Sequence, residues 1–220
     1  MINSQKNWDK LYSKGIRGKY PNEMLIRFIN AKFNNVNRGK IKILDLGFGT
    51  GRHLIYLAHE GFNTYGVESS RNGAKIADKW LKERNLNATT MVGSFVKIDA
   101  DNNEFDAVID IASIQHNNYD DIKKIVKEVY RVVKPGGYFF SYIKTKYDFL
   151  YKESKPLDKN TRIISAKTEK ADTNTIICFL SKKNLLTLFS MFLKVNIERE
   201  EWTYNNMKNK VSHWVVTAQK

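Results

Sequence analysis

A glycine-rich turn between a predicted strand and a predicted helix constrains the fold of this chain more than any other feature. Residues 41–46 form a short apolar run that is typical of a buried strand, and glycines follow at 47, 49 and 51. Glycine lets the backbone turn tightly and leaves the main chain bare, so a ligand can lie against it. The helix that begins after the last glycine points its N-terminal amides at such a ligand. The sequence therefore predicts a ligand-binding strand–turn–helix unit.

The rest of the chain repeats this alternation of strand and helix patterns. Apolar runs predict further strands at 63–67, 88–92, 105–111 and 138–143. Such alternation is the signature of parallel βαβ units. Two final runs, Val195 to Trp202 and Val211 to Ala218, predict a closing antiparallel hairpin. From residue 145 to residue 173 the regular pattern lapses, which predicts an insertion over the sheet.

An acidic residue follows the glycines at a spacing that suits a nucleoside. Glu68 ends the second predicted strand, about 20 residues after the first glycine, where a carboxylate can accept hydrogen bonds from both ribose hydroxyls. Dinucleotide sites prefer glycines spaced as G-x-G-x-x-G. Here the spacing is G-x-G-x-G, and Arg52 occupies the place of the third dinucleotide glycine. The glycine triplet alone fits a dinucleotide or another nucleoside cofactor.

Taken with its flanking residues, the chain resembles the class I S-adenosylmethionine (SAM)-dependent methyltransferases. Residues 45–51 are similar to the first motif of that family, and Glu68 matches its ribose-binding acid. Further stretches resemble family motifs in the same order: Trp8 to Tyr12, Gly93 to Phe95, Phe105 to Val108 and Lys134 to Gly137. The resemblance covers about residues 8–143, and the order and spacing of its pieces make it specific.

This resemblance implies an α/β fold, a Rossmann-like seven-stranded sheet with helices on both faces. Six strands are expected to be parallel and one antiparallel. We expect a single domain over 1–220, in which residues 1–36 form an N-terminal lid and helix and residues 145–173 an insertion over the active site. The cofactor implied is SAM, lying across the carboxyl ends of strands one, two and four.

The resemblance also implies a set of cofactor-binding residues. They are Trp8, Tyr12, Asp45, Gly47, Phe48, Gly49, Gly51, Glu68, Ser69, Ser94, Phe95, Asp110 and Ile111. Asp45 is expected near the methionyl amine of the cofactor, although a carboxylate at this position can also stabilise a turn. Ser94 stands where the family usually has an aspartate near the adenine.

The loop after the fourth predicted strand is where an acceptor would meet the methyl group. Within it His116 is the candidate general base, because an unperturbed imidazole titrates near neutral pH. A histidine bound within the turn, or one that covers the cofactor, is the alternative. The histidines share no metal-ligand spacing, so we expect no metal.

Composition constrains the partners less than the motifs do. The formal net charge is +14, which indicates either a polyanionic partner or a bias toward lysine, and the charges are spread along the chain. The only cysteine is Cys178, so no disulfide forms within the chain. No apolar run is long enough for a membrane span, and the polar N-terminal residues do not resemble a signal peptide. We therefore expect a cytoplasmic location and no membrane partner, and the oligomeric state stays open.

Three functions fit these features. The first is methyl transfer to a small-molecule acceptor, aligned in line with the cofactor. The second is methylation of RNA or protein; nucleic acid is less favoured because residues 113–119 lack the Asn-Pro-Pro-Tyr type of signature. The third is a nucleotide-binding module without catalysis.

Overall fold

The chain folds around one seven-stranded sheet in which six strands point the same way. The computed structural model describes residues 4–15, 18–165 and 175–220. The strands of this sheet are β1 (Lys42–Leu46), β2 (Asn63–Glu68), β3 (Thr89–Val92), β4 (Phe105–Ile111), β5 (Val133–Lys144), β9 (Lys194–Tyr204) and β10 (Asn209–Gln219). Their order is β3-β2-β1-β4-β5-β10-β9, and only β10 runs against the others. The predicted Rossmann-like fold, with one antiparallel strand, is confirmed.

Helices cover both faces of this sheet. They are α1 (Ser4–Ser13), α2 (Glu23–Phe33), α3 (Arg52–His59), α4 (Arg71–Glu83), α5 (Tyr119–Val132), α6 (Phe149–Glu153) and α7 (Lys182–Leu188). On one face α2 and α3 bury apolar side chains against β1, β4 and β5. On the other face α5 and α7 do so, and the α5 stripe from Ile122 to Val132 is fully buried. Burial of these stripes supplies most of the stabilising free energy of the fold. In the described ranges, no helix combines the length and the apolar character needed to cross a bilayer.

A second, three-stranded sheet lies where the sequence predicts an insertion. It consists of β6 (Lys155–Pro156), β7 (Thr161–Ile164) and β8 (Thr175–Cys178), paired antiparallel. A small apolar core of its own, centred on Leu150 and Phe179, packs beneath it. Residues 166–173 of the predicted insertion lie outside the described residues. The division of the chain into lid, single domain and insertion stays a prediction.

Candidate active site

A cavity of about 740 Å³ lies at the carboxyl ends of β1, β2, β3 and β4. The residues that follow these strands line it, together with α1. Of the residues named from the sequence, it brings together Trp8, Tyr12, Gly47, Phe48, Gly49, Glu68, Ser69, Ser94, Phe95, Ile111 and His116. Three others, Asp45, Gly51 and Asp110, do not line it. The cavity occupies the crevice at which ligands bind in open α/β sheets.

The glycine turn is left-handed at each glycine, and each has a different neighbour. The φ angles of Gly47, Gly49 and Gly51 are 77°, 56° and 95°. A Cβ at Gly47 would overlap the Ser113 hydroxyl, and one at Gly49 would lie 2.7 Å from the Tyr12 hydroxyl. At Gly51 it would meet a side chain of α4 instead. The first two glycines therefore keep the cavity floor bare, whereas the third lets α3 pack on α4.

Glu68 joins the glycine turn to the start of α4. Its side chain is buried, and Oε2 accepts a hydrogen bond from the Gly49 amide at 2.8 Å. Oε1 accepts from the Ser70 amide at 2.7 Å and from the Ser69 hydroxyl at 3.2 Å. Burial raises the pKa of Glu68, and these hydrogen bonds oppose the rise. Because each carboxylate oxygen has two acceptor sites, Oε2 retains capacity for a ligand hydroxyl.

Asp45 carries a buried oxygen without a hydrogen-bond partner in the described part of the chain. Its Oδ2 has no hydrogen-bond partner among the described residues, and the nearest cation candidate, His53 Nδ1, lies 3.9 Å away. Burial raises the pKa of Asp45 well above its usual range, although Arg52 opposes the rise. Burial also lowers the pKa of His53 well below its usual range, so that imidazole is neutral. A buried unpaired carboxylate oxygen beside a cavity indicates a ligand that brings a donor or a positive charge.

We predict opposite effects of Asp45→Asn on stability and on cofactor affinity. The folded state holds a proton on Asp45 that the unfolded chain has already lost above about pH 4, so wild-type stability falls as pH rises. The Asp45→Asn variant lacks this loss, and its unfolding free energy should exceed that of the wild type by about 1 kcal/mol or more near neutral pH. Its affinity for S-adenosylhomocysteine should fall about tenfold, because the variant has no carboxyl group that can ionise beside the ammonium group of the ligand. Urea unfolding near pH 5 and pH 8 and calorimetry test both effects.

Asp99→Asn, at an exposed loop position, is the matched control and should change neither quantity. If the Asp45→Asn variant is less stable than the wild type at every pH, the interpretation of Asp45 as a buried, unpartnered carboxyl that destabilises the free protein and binds the ligand is wrong.

Asp110 holds the loop that carries Ser113 and His116. Its Oδ1 accepts from the amides of Ser113 and Ile114, both at 3.0 Å, and Oδ2 accepts from the Ser141 hydroxyl at 2.7 Å. Burial raises the pKa of Asp110 to about 6. Its carboxylate thus faces backbone and β5 rather than the cavity, and it positions the loop from behind.

Helix α1 closes the cavity from above. Asp9 Oδ1 accepts from the Ser70 hydroxyl at 2.6 Å and from the Asn72 amide at 3.1 Å, which fixes α1 on the start of α4. Tyr12 then lies over the glycine turn, and burial beside Glu68 raises the pKa of its hydroxyl. The Trp8 ring stacks near Tyr12 at 5.6 Å. These rings cover the cavity on this side.

His116 is oriented by the second sheet. Its Nδ1 lies 3.0 Å from the Ile176 carbonyl oxygen of β8, and a carbonyl only accepts. Nδ1 therefore carries the proton, and in the neutral ring Nε2 holds the lone pair. Burial lowers the pKa of His116 to about 4, with a further contribution from the charge of Lys144. The Trp8 ring meets the imidazole edge-on at 4.8 Å. His116 is therefore a neutral imidazole on the cavity wall, and its hydrogen bond to Ile176 fixes its orientation.

Several cavity residues are not among the cofactor-binding and catalytic residues predicted from the sequence. They include Thr50, Arg52, His53, Arg71, Ser113 and Asn117. Arg52 follows the last glycine and packs against the backbone of Gly18, so a cation lies at the end of the cavity near Asp45. The sequence signal that could have identified Arg52 is its position directly after the glycine turn. Within the described residues, no group of three or more His, Cys, Asp or Glu side chains is arranged to hold a metal ion.

The sheet order, the glycine turn and the acid on the neighbouring strand together define a Rossmann-like α/β architecture with a nucleoside-type crevice. Residues 43–137 match the family model described as a methyltransferase domain. The chain is similar to a demethylmenaquinone methyltransferase of Geobacillus sp. (strain WCH70), 36% identical over 107 residues, which cover 47% of this chain and 44% of that protein. It is also similar to a ubiquinone biosynthesis O-methyltransferase of Pelagibacter ubique, 25% identical over 87% of this chain and 80% of that protein.

A solved structure extends the likeness of fold to nearly the whole chain. A SAM-dependent methyltransferase from Methanosarcina mazei superposes with a TM-score of 0.72 at 20% identity, covering 91% of this chain and 98% of that one. The chain spans less than half the length of the first curated relative above. The match to a methyltransferase domain thus lies in residues 43–137, and the likeness of fold extends over nearly the whole chain.

Proposed function

We propose that this protein transfers a methyl group from SAM to a small-molecule acceptor. One observation carries the proposal: the bare turn at Gly47 and Gly49 and the Glu68 carboxylate meet at one cavity edge, and Asp45, two residues before that turn, has a buried Oδ2 with no partner among the described residues. This set suits a ligand with an ammonium group at one end and a ribose at the other. SAM, when bound, supplies an electrophilic methyl group on a positively charged sulfur.

Different parts of the cavity are proposed to bind different parts of SAM. Glu68 is proposed to hold the ribose hydroxyls, and Asp45 to attract the amine, with Arg52 close enough to pair with a carboxylate. Ser69, Ser94 and Phe95 line the end where an adenine would lie. In-line transfer requires mainly alignment and exclusion of water, which Trp8, Tyr12 and Phe48 are proposed to provide.

His116 is proposed as the general base for the acceptor. The Ile176 carbonyl fixes the proton on Nδ1, so the Nε2 lone pair is available for a proton that the acceptor loses. One relative is named for demethylmenaquinone and the other for O-methylation in ubiquinone biosynthesis. These names support a small-molecule acceptor, and we propose that class and no particular atom.

Calorimetry and a transfer assay test the proposal. The wild type should bind S-adenosylhomocysteine, and labelled SAM should transfer its methyl group to members of a panel of small phenols and quinols. Bulk RNA and unfolded protein form the other arms of the assay. Binding without transfer to any arm would favour a non-catalytic module, and transfer to RNA or protein alone would replace the small-molecule acceptor. Absence of cofactor binding at millimolar concentration would end the proposal.

We predict that Glu68→Ala weakens S-adenosylhomocysteine binding by about 1–3 kcal/mol through lost charge-assisted hydrogen bonds. Glu83→Ala is the control, since Glu83 lies on α4, away from the cavity lining, and forms an exposed pair with Lys79. Melting curves show whether each variant is folded. Equal affinities of the Glu68 variant and the wild type would remove this acid from the site.

A further inference from the structure

The β9–β10 hairpin projects past the edge of the sheet at which the cavity lies. Lys144, the last residue of β5, is paired with His213 of β10. From there β10 continues back to Asn209, still paired with β9 but no longer beside β5. At about 3.3 Å per residue, this stretch carries the hairpin about 13 Å beyond β5. Residues 202–211 form this part, which we call the projecting hairpin.

Large apolar side chains are exposed on the projecting hairpin. Met207, in the turn, is 80% exposed, while Trp202 is 51% and Tyr204 42% exposed. The Trp202 and Tyr204 rings touch each other, with centroids 5.6 Å apart and planes tilted by 41°. None of the three belongs to a buried core cluster in the described part of the chain. Clustered exposed apolar groups of this size mark an interaction surface.

The charge of this surface favours an anionic partner. Lys208 and Lys210 are the charged residues of the projecting hairpin; Lys210 pairs at 3.3 Å with Glu201, the β9 residue just before the projecting hairpin, which leaves Lys208 as the cation that can face a partner. Lys208 is exposed. The whole chain carries a formal net charge of +14, so its long-range field also attracts anions.

We propose that the projecting hairpin docks the protein on an anionic lipid surface. Trp and Tyr rings suit the headgroup region because one end is apolar and the other polar. Met207 adds a flexible apolar chain that can enter the boundary between headgroups and acyl chains, and Lys208 faces anionic headgroups. Docking in this way brings the cavity edge toward the lipid surface. The proposal replaces the sequence-based expectation of no membrane partner, and it does not depend on methyl transfer.

A nucleic acid fits the same surface less well. Stacking of unpaired bases needs open ring faces spaced along a groove. Trp202 and Tyr204 contact each other and leave no slot between them for a base. The most exposed apolar group, Met207, has no ring.

Vesicle flotation with the full chain tests the proposal. We expect binding to vesicles of phosphatidylcholine with phosphatidylserine, weaker binding to phosphatidylcholine alone, and loss of binding at high salt. The double variant Trp202→Ser/Met207→Asn should lower partitioning about tenfold or more. Asparagine is chosen because Met207 has φ 63°, which asparagine tolerates. Leu193→Ser is the matched control, because Leu193 is 84% exposed beside the opposite end of β9.

A second readout keeps the test independent of folding defects. Brominated acyl chains should quench tryptophan fluorescence of the wild type and of the Leu193 variant, and Trp202→Phe should remove most of that quenching while keeping the melting temperature. Wild-type protein that ignores anionic vesicles overturns the proposal. So does equal loss of binding in the Leu193 variant. Retention of RNA, or self-association, that depends on Trp202 in the absence of vesicle binding would assign the surface to another partner.

Discussion

His116→Asn is expected to lower kcat about 100-fold and to leave the affinity for S-adenosylhomocysteine unchanged. General bases contribute about 10²–10⁴-fold to rate, and a base with a low pKa falls at the lower end of that range. Burial lowers the pKa of His116 to about 4. The asparagine amide can occupy the place of Nδ1 and donate to the Ile176 carbonyl, so the loop should keep its position while the Nε2 lone pair is lost.

The pH dependence separates this role from a structural one. A base with a pKa of about 4 is fully deprotonated near neutral pH, so activity should be flat there and fall only as pH drops toward 4. The same lowered pKa means that protonation destabilises the fold as pH falls below the ordinary histidine value. Rates are therefore best compared between about pH 6 and pH 8, with His59→Asn, an exposed histidine on α3, as control. A His116 variant with full turnover would assign the residue to covering the cavity.

The parallel core of the fold was predictable because its signals are local. Each of β1, β2, β4 and β5 is an apolar run next to a helical stripe, and the right-handed crossover rule then restricts how they pair. The second sheet was not predictable in the same way. β7 and β8 are four residues each, and their partners are separated by residues 165–174. Pairing between such short segments is fixed by tertiary packing on Leu150 and Phe179, which no periodicity encodes.

The candidate site likewise contains residues that local sequence spacing predicts and residues whose roles depend on tertiary packing. Gly47 and Glu68 were found because a tight turn and a strand-terminal acid leave marks in sequence spacing. Ser113 was missed, since its approach to Gly47 depends on Asp110 holding the loop from inside the sheet. Asp110 was predicted as a cofactor contact from the family resemblance, yet the structure directs its carboxylate to backbone amides and Ser141. Spacing thus locates the strand end, whereas packing decides which way the side chain faces.

Gly47→Ala is expected to lower cofactor affinity at least about 100-fold, and Gly61→Ala separates the two reasons for it. Gly47 has φ 77° and Gly61 has φ 85°, so alanine pays a similar backbone cost of about 1 kcal/mol at either position. A Cβ at Gly61 meets nothing within 4 Å, whereas at Gly47 it overlaps Ser113 and fills the cavity floor. The Gly61 variant should therefore melt slightly lower and bind S-adenosylhomocysteine normally.

The Gly47 variant tests whether bare main chain is what the ligand requires. Displacement of Ser113 costs stability as well, so melting curves accompany calorimetry, and Ser113→Gly/Gly47→Ala removes both Ser113 atoms that the new Cβ would overlap. Stability should recover in part in that double variant, while affinity stays low because the methyl group still occupies the ligand's path. If affinity recovers together with stability, Gly47 serves only the loop, and the cofactor must lie elsewhere along the cavity.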